Sequence, residues 1–227
     1  PIPYSVHSDD IITSLLLGCF IFSVIALANA RRFIVQQAKI FFYLPREGTT
    51  EFTETSNEFR FQLALVLITC LLASLLFYFY TLQNIGETFI LRSQYTLIAI
   101  YMGITAVYFL LKTGLYSFVN HVFFDGKRNQ QWIKAFLFII SMEGILFFPA
   151  VVSGAYFGIE TKSVIYYVIF SVIIVKLLTI YKCYIIFFRR NVVRLQIILY
   201  FCTLEMVPLV IYWGVLVITA NNLKINF

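Results

Sequence analysis

A chain of 227 residues that is 61% hydrophobic and only 12% charged lies well outside ordinary globular composition, in which about half of the residues are apolar and about a quarter charged. That balance excludes a soluble enzyme, a disulfide-stapled scaffold and a separately folded aqueous domain, and it reads as a polytopic membrane protein. The net charge of +6 does not call for a nucleic-acid partner, because the basic residues follow the connections between apolar runs instead of forming one patch.

Six apolar runs, 11–30, 61–81, 95–118, 132–155, 163–188 and 195–220, are each long enough to cross about 30 Å of hydrocarbon at about 1.5 Å per helical residue. They predict an all-α bundle of six transmembrane helices, forming a single domain over 1–227 whose first partner is the lipid bilayer. The chain begins with Pro1 and not Met, so native residues are expected to precede it. The first run opens on Asp9 and Asp10 with no basic segment before it, which is not the pattern of a signal peptide.

After Arg31 and Arg32, the stretch 33–44 stays largely apolar with a polar insert and ends at Pro45. It suits either a continuation of the first helix or a helix lying in the membrane interface. The polar stretch 46–58 reads as a loop. In the third run, Lys112 stands near the basic end and is expected to snorkel towards the headgroups. His121 and Asp125, four residues apart in HVFFDGKR, suit a capping or headgroup role at a helix end. The fourth run carries Glu143 and Pro149, the fifth Lys176, and the sixth Glu205 and Pro208.

Orientation follows from the basic residues. Arg31, Arg32, Lys39, Arg46, Arg60, Lys127, Arg128, Lys134, Lys182, Arg189, Arg190 and Arg194 fall on one side, against Arg92, Lys162 and Lys224 on the other. Short cytoplasmic loops retain Lys and Arg, so both termini are expected outside the cytoplasm. Arg31, Arg32, Lys127, Arg128, Arg189 and Arg190 are the topology anchors.

Ionisable groups inside the spans are the features able to carry chemistry, since one charge at bilayer depth costs about 2.5–3.5 kcal/mol even on the lenient insertion scale. Glu143, Lys176 and Glu205 all stand near the middle of their runs. A buried ion pair fixing helix packing, a proton or ion relay, and polar anchors facing a partner are the three roles open to them, and Lys176 is expected to neutralise at least one of the glutamates. Proline supplies no N–H, so Pro208 frees the Leu204 carbonyl beside Glu205 and Pro149 frees that of Ile145 near Glu143, and both prolines are expected to kink their helices. Glu205 ranks above Glu143, because Leu204, Pro208 and Cys202 gather around it as a polar notch. An offset of 62 residues also superposes Ser141-Met142-Glu143 on Thr203-Leu204-Glu205, a weak parallel repeat.

Several chemistries are excluded by inventory. The four cysteines, Cys19, Cys70, Cys183 and Cys202, all lie in apolar runs without a CxxC pair and read as buried free thiols, giving neither disulfides nor a zinc site. His7 and His121 lie outside the spans, so an intramembrane haem is not expected. No His-Glu-x-x-His, paired intramembrane Asp, Walker or GxGxxG motif occurs. No catalytic residue, metal or cofactor is expected.

The run LQIILYFCTLEMVPLVIYW, 195–213, resembles the last helix of a family of small polytopic inner-membrane proteins of Bacteroidota, classed as a domain of unknown function, which reads approximately I-L-Y-x-C-x-L-E-x-x-P. Tyr200, Cys202, Leu204, Glu205 and Pro208 stand at those positions, and Leu111, Lys112 and Tyr116 match more loosely. The resemblance implies a multi-pass protein of the bacterial inner membrane and brings no activity with it. The resulting expectation is an accessory or scaffold subunit of a larger inner-membrane assembly, serving protein export or envelope biogenesis, whose 25 Phe, 15 Tyr and 2 Trp offer surface for contacts with other inner-membrane proteins. The alternative is a small proton- or ion-coupled transporter built on Glu143, Lys176 and Glu205. A membrane enzyme acting on lipid or isoprenoid substrates is a third, weaker fit.

Overall fold

Aliphatic and aromatic residues fill every turn of the long apolar runs, and with no water to satisfy a bare backbone the chain closes its own hydrogen bonds as helices. The computed structural model describes residues 10–29, 31–42, 56–84, 94–124, 126–188 and 194–223, and among these there is no strand. In chain order the elements are α1 (Asp10–Asn29), α2 (Arg31–Phe42), α3 (Ser56–Asn84), α4 (Gln94–Phe123), α5 (Gly126–Tyr156), α6 (Thr161–Cys183), α7 (Arg194–Phe201) and α8 (Val207–Leu223). A π-helical turn, Tyr184–Phe188, extends α6, and another, Cys202–Met206, joins α7 to α8.

Among the described residues five helical stretches, Phe59–Asn84, Tyr95–Phe123, Gly126–Tyr156, Thr161–Phe187 and Ile198–Leu223, are long and apolar enough to cross a membrane. The expected count was six. α1 stands apart from these five: its apolar stretch among the described side chains is Asp10–Ile25, within a helix of 20 residues, Asp10–Asn29.

The bundle is organised around α3 and α5, which lie side by side. Gly144 allows the approach: a Cβ built on it stands 3.0 Å from Cβ and 3.2 Å from Cα of Thr69. The Thr69 hydroxyl then donates across the seam to the Ile140 carbonyl, 3.1 Å away. Small residues serve in this way where helices pack in lipid, because the apolar surroundings give no hydrophobic drive to bring them together. α4 packs on α3, and α6 on α5. One apolar cluster joins Leu75, Tyr78, Tyr101, Val151 and Leu216, and a second joins Tyr116, Trp132, Phe136, Phe187 and Leu204.

Over its described part the stretch 33–44 is helical, as α2, and residue 30, which decides between the two expected conformations, lies outside the described residues. α2 lays Phe41, 3% exposed, against Ala135, Phe138 and Ile139 of α5 and Val175 of α6. Lys182 of α6 holds it there by donating to the Phe41 carbonyl (3.0 Å) while its ammonium stands 5.0 Å from the centre of the Phe41 ring. A cation at the carbonyl end of a helix also meets the negative end of its dipole. The turn 157–160 between α5 and α6 runs through Gly158 at φ 58°, a left-handed conformation that glycine adopts without steric cost.

Candidate functional site

Glu205 sits in the π-helical turn Cys202–Met206, and the local cause is Pro208. Its nitrogen cannot donate to the Leu204 carbonyl, and the ladder widens just before it, the Val207 N–H bonding back five residues to the Cys202 carbonyl. A π turn adds one residue to the helix and swings its side chains. Here it leaves Glu205 at 0% exposure and Cys202 exposed. The expected notch combining Cys202 with Glu205 is therefore corrected, since the two side chains leave the helix on different sides. Cys19, Cys70 and Cys183 are buried as expected, and Cys202 is the exception.

Glu205 is held by three donors from two other helices. Lys176 of α6 donates to Oε2 at 2.5 Å, Lys112 of α4 donates to the same oxygen at 2.6 Å, and the Tyr116 hydroxyl of α4 donates to Oε1. Lys112 is 3% exposed, and its ammonium also lies 5.6 Å from the centre of the Tyr108 ring and 5.2 Å from that of Phe136. It does not snorkel. A carboxylate one helix away outcompetes the headgroups, because an ammonium inside the bundle keeps both a hydrogen bond and a counter-charge.

Glu143 is placed differently. It is half-buried and among the described residues makes no hydrogen bond or ion pair, yet it lies within electrostatic range of Lys176, Lys112 and Glu205. The structure thus brings Lys176 and Glu205 together and leaves Glu143 beside them, outside the ion pair. Its proline is also unlike the other: α5 runs on through Pro149 as α-helix, with no π turn such as precedes Pro208, so the two halves of the weak repeat have different local structures.

Above and below this centre α4 presents further polar groups on one face: Tyr101, Thr105, Tyr108, Lys112, Tyr116 and Asn120 recur every third or fourth residue. Towards the end of α4 near Gln94, Thr105 hydrogen-bonds the Tyr212 hydroxyl (2.8 Å) and Tyr101 pairs with Thr81 (3.3 Å). The Tyr212 ring stacks on Tyr108 at 4.5 Å. Towards the basic end, the Tyr200 hydroxyl donates to Asn120, the Asn120 amide to Asn129 (3.3 Å), and the Asn129 amide to Ser117 (3.2 Å). From Tyr101 to Asn120 the stripe is about 28 Å long at 1.5 Å per residue, close to the thickness of a hydrocarbon core. Sequence reasoning missed this stripe. Its signal was present as a polar residue at each third or fourth position of an otherwise apolar run.

Among the topology anchors, Arg31 and Lys127 are exposed and Arg128 is half-buried. The side chain of Arg32, and Arg189, Arg190 and Asp125 altogether, lie outside the described residues, and His121 is exposed. Among the described residues no group of three or more His, Cys, Asp or Glu is arranged to hold a metal.

A family model described as a domain of unknown function (DUF4271) matches residues 12–216, a stretch that contains Lys112, Glu143, Lys176 and Glu205. No curated protein and no solved structure matches the chain.

Proposed function

The chain belongs to the DUF4271 family, and from its charged centre we propose that it is a proton-handling, multi-pass subunit of a larger assembly in a bacterial inner membrane. The observation that carries this reading is the α4 stripe. Hydrogen-bonding side chains run the length of a spanning helix and pass through a buried Lys112–Glu205–Lys176 triad at its middle. Ionisable groups at that depth are costly, and proton relays are among the uses that retain them. A π turn at Glu205 fits the same reading, since such turns occur often at functional positions.

The subunit half of the proposal rests on how closed the centre is. Glu205 is 0% and Lys112 3% exposed, and the groove of about 640 Å³ bounded by α1 and α3 is lined by residues such as Gly18, Phe22 and Leu67, apart from the triad. A solute carrier needs a vestibule at its site, so the species handled is the proton, and the work it drives belongs to another chain. Protein export or envelope biogenesis is the process such an assembly would serve. In the matching topology α1 completes six spans, both termini lie outside the cytoplasm, and the basic ends of α4 and α5 face it.

Purification in mild detergent followed by reconstitution into vesicles tests both halves. A stoichiometric partner is expected to co-purify, and an imposed membrane potential is expected to drive proton entry above that of protein-free vesicles, read with an enclosed pH dye. Glu205→Gln keeps the shape and removes the carboxylate that holds both lysines in place, and is expected to lower the flux roughly a hundredfold or more, the size of effect a positioned proton-transfer site loses when its groups are disturbed. A lone monodisperse protein whose vesicles take up protons no faster than empty ones would end the proposal.

A further inference from the structure

The triad is unbalanced: two ammonium groups share one carboxylate, Glu205. Glu143 is the fourth ionisable group of the centre, and among the described residues it has no partner within hydrogen-bond or ion-pair distance, unlike the other three. Its helix packs directly on that of Lys176. Val175 belongs to the apolar cluster against which Met142 packs, so the chain neighbours of Lys176 and Glu143 share one cluster where α5 packs on α6.

The two lysines are also not equivalent. Lys112 is sealed at 3% exposure and its ammonium is further held by the Tyr108 and Phe136 rings. Lys176 is 14% exposed, and among the described residues it hydrogen-bonds Glu205 alone. A lysine ammonium on a flexible four-carbon stem can change partner without backbone movement. Glu205 tolerates losing it, because Lys112 remains on Oε2 and Tyr116 on Oε1.

We propose that Glu143 is the proton-binding carboxyl of the centre and that Lys176 is its exchangeable counter-ion, alternating between Glu205 and Glu143. In the protonated state of Glu143 that this exchange requires, Lys176 stays on Glu205, the contact the structure has. When the Glu143 carboxyl passes its proton to a water, the Lys176 ammonium leaves Glu205 Oε2 for the new carboxylate, and the formal charge of the centre falls from +1 to zero. Reprotonation of Glu143 releases Lys176 back to Glu205. The groups in electrostatic reach of Glu143 are Lys112 and Tyr108 on α4, Lys176 on α6, Cys70 on α3, and, on the last span, Glu205 and Tyr212. The two ammonium groups among them are the ones that oppose protonation, and Lys176 is the one free to move. The inference deepens the proton-handling reading and rests on it for the purpose of the exchange.

A lipid-soluble carbodiimide tests it on the full chain in native membranes, because the reagent forms its adduct only with a protonated carboxyl. Peptide mass mapping is expected to find the adduct on Glu143 and not on Glu205, to lose it in Glu143→Gln, and to find it diminishing as the pH rises. In Lys176→Met the waiting counter-charge is gone, so labelling of Glu143 is expected to persist at alkaline pH where that of the wild type has fallen; Lys176→Arg, which keeps the charge if the methionine variant does not assemble, is expected to follow the wild type. An adduct on Glu205 instead, no adduct on either glutamate, or a pH profile that Lys176→Met leaves unchanged overturns the inference. Labelling is read without flux, so the two proposals fail separately: Glu143 labelled in vesicles that pass no protons removes the function alone, whereas wild-type flux in Glu143→Gln removes this site alone.

Discussion

At the scale of single residues the decisive arrangement is one carboxylate serving two lysines. Oε2 of Glu205 accepts from both ammonium groups, at 2.5 and 2.6 Å, and Tyr116 takes the other oxygen. Removing the carboxylate leaves two like charges side by side inside the bundle, so Glu205→Leu is expected to cost about 3–5 kcal/mol. The triple replacement Lys112→Met, Lys176→Met, Glu205→Leu removes every member together and is expected to recover most of that loss, since apolar side chains of similar volume fill a buried ionic site at little or no cost. Thermal unfolding in detergent checks the order of the two, and a triple variant less stable than Glu205→Leu would show that the charges contribute to stability in their own right. The sequence made the meeting of Lys176 with a glutamate legible, because both lie midway along their runs. It did not reveal which glutamate. That choice depends on the rotation of each helix about its axis, which the π turn before Pro208 alters by about 100° for each residue it inserts.

At the scale of elements, the close approach of α3 and α5 sets the geometry on which the centre is built. Gly144 and Thr69 are the contact, with the Thr69 Cα only 3.2 Å from where a Cβ on residue 144 would lie. Backbone cannot retreat as a flexible side chain does, so Gly144→Ala is expected to force the helices apart and destabilise the protein by about 1–3 kcal/mol. A melting temperature in detergent unchanged by this substitution would show that the seam is looser than it is drawn here. The neighbouring Glu143 sits one residue before that glycine, so Gly144→Ala is also expected to disturb its position relative to Lys176. α2 shows a second element-scale device. Lys182 docks the short helix through the Phe41 carbonyl and ring, a use of a basic residue that counting charges for topology does not disclose.

At the scale of the whole molecule, five helices among the described residues are long and apolar enough to span a membrane, and the proposed direction in which they run rests on the basic residues. Gln130 lies near the start of α5 and Glu160 in the turn just beyond its end, both exposed, with about 39 Å of helix between Gln130 and Tyr156 at 1.5 Å per residue. In a background with the native cysteines replaced, a thiol at Glu160 is expected to react with an impermeant reagent in intact spheroplasts, and one at Gln130 only after the membrane is opened. The reverse pattern would invert the orientation and move the Asn120–Asn129 end of the stripe away from the cytoplasm.

The sequence by itself determined that this is a helical, multi-pass membrane chain, where its long apolar runs lie, and that Glu143, Lys176 and Glu205 stand at mid-span. These follow from local quantities, namely the length of apolar runs and the distance of a residue from their ends. Tertiary structure alone decided the partners. Lys112, read as reaching for headgroups, turned inward because Glu205 stands opposite it on another helix. Cys202 and Glu205 parted because one π turn separated their faces. Glu143 remained beside the ion pair and not in it, although the sequence places it, like Glu205, near the middle of its apolar run. Depth is written along a chain, whereas the facing of one helix towards another is settled only when ridges, glycine contacts and proline-shifted turns are fitted together, since side chains meet only if both helices present them on the same seam.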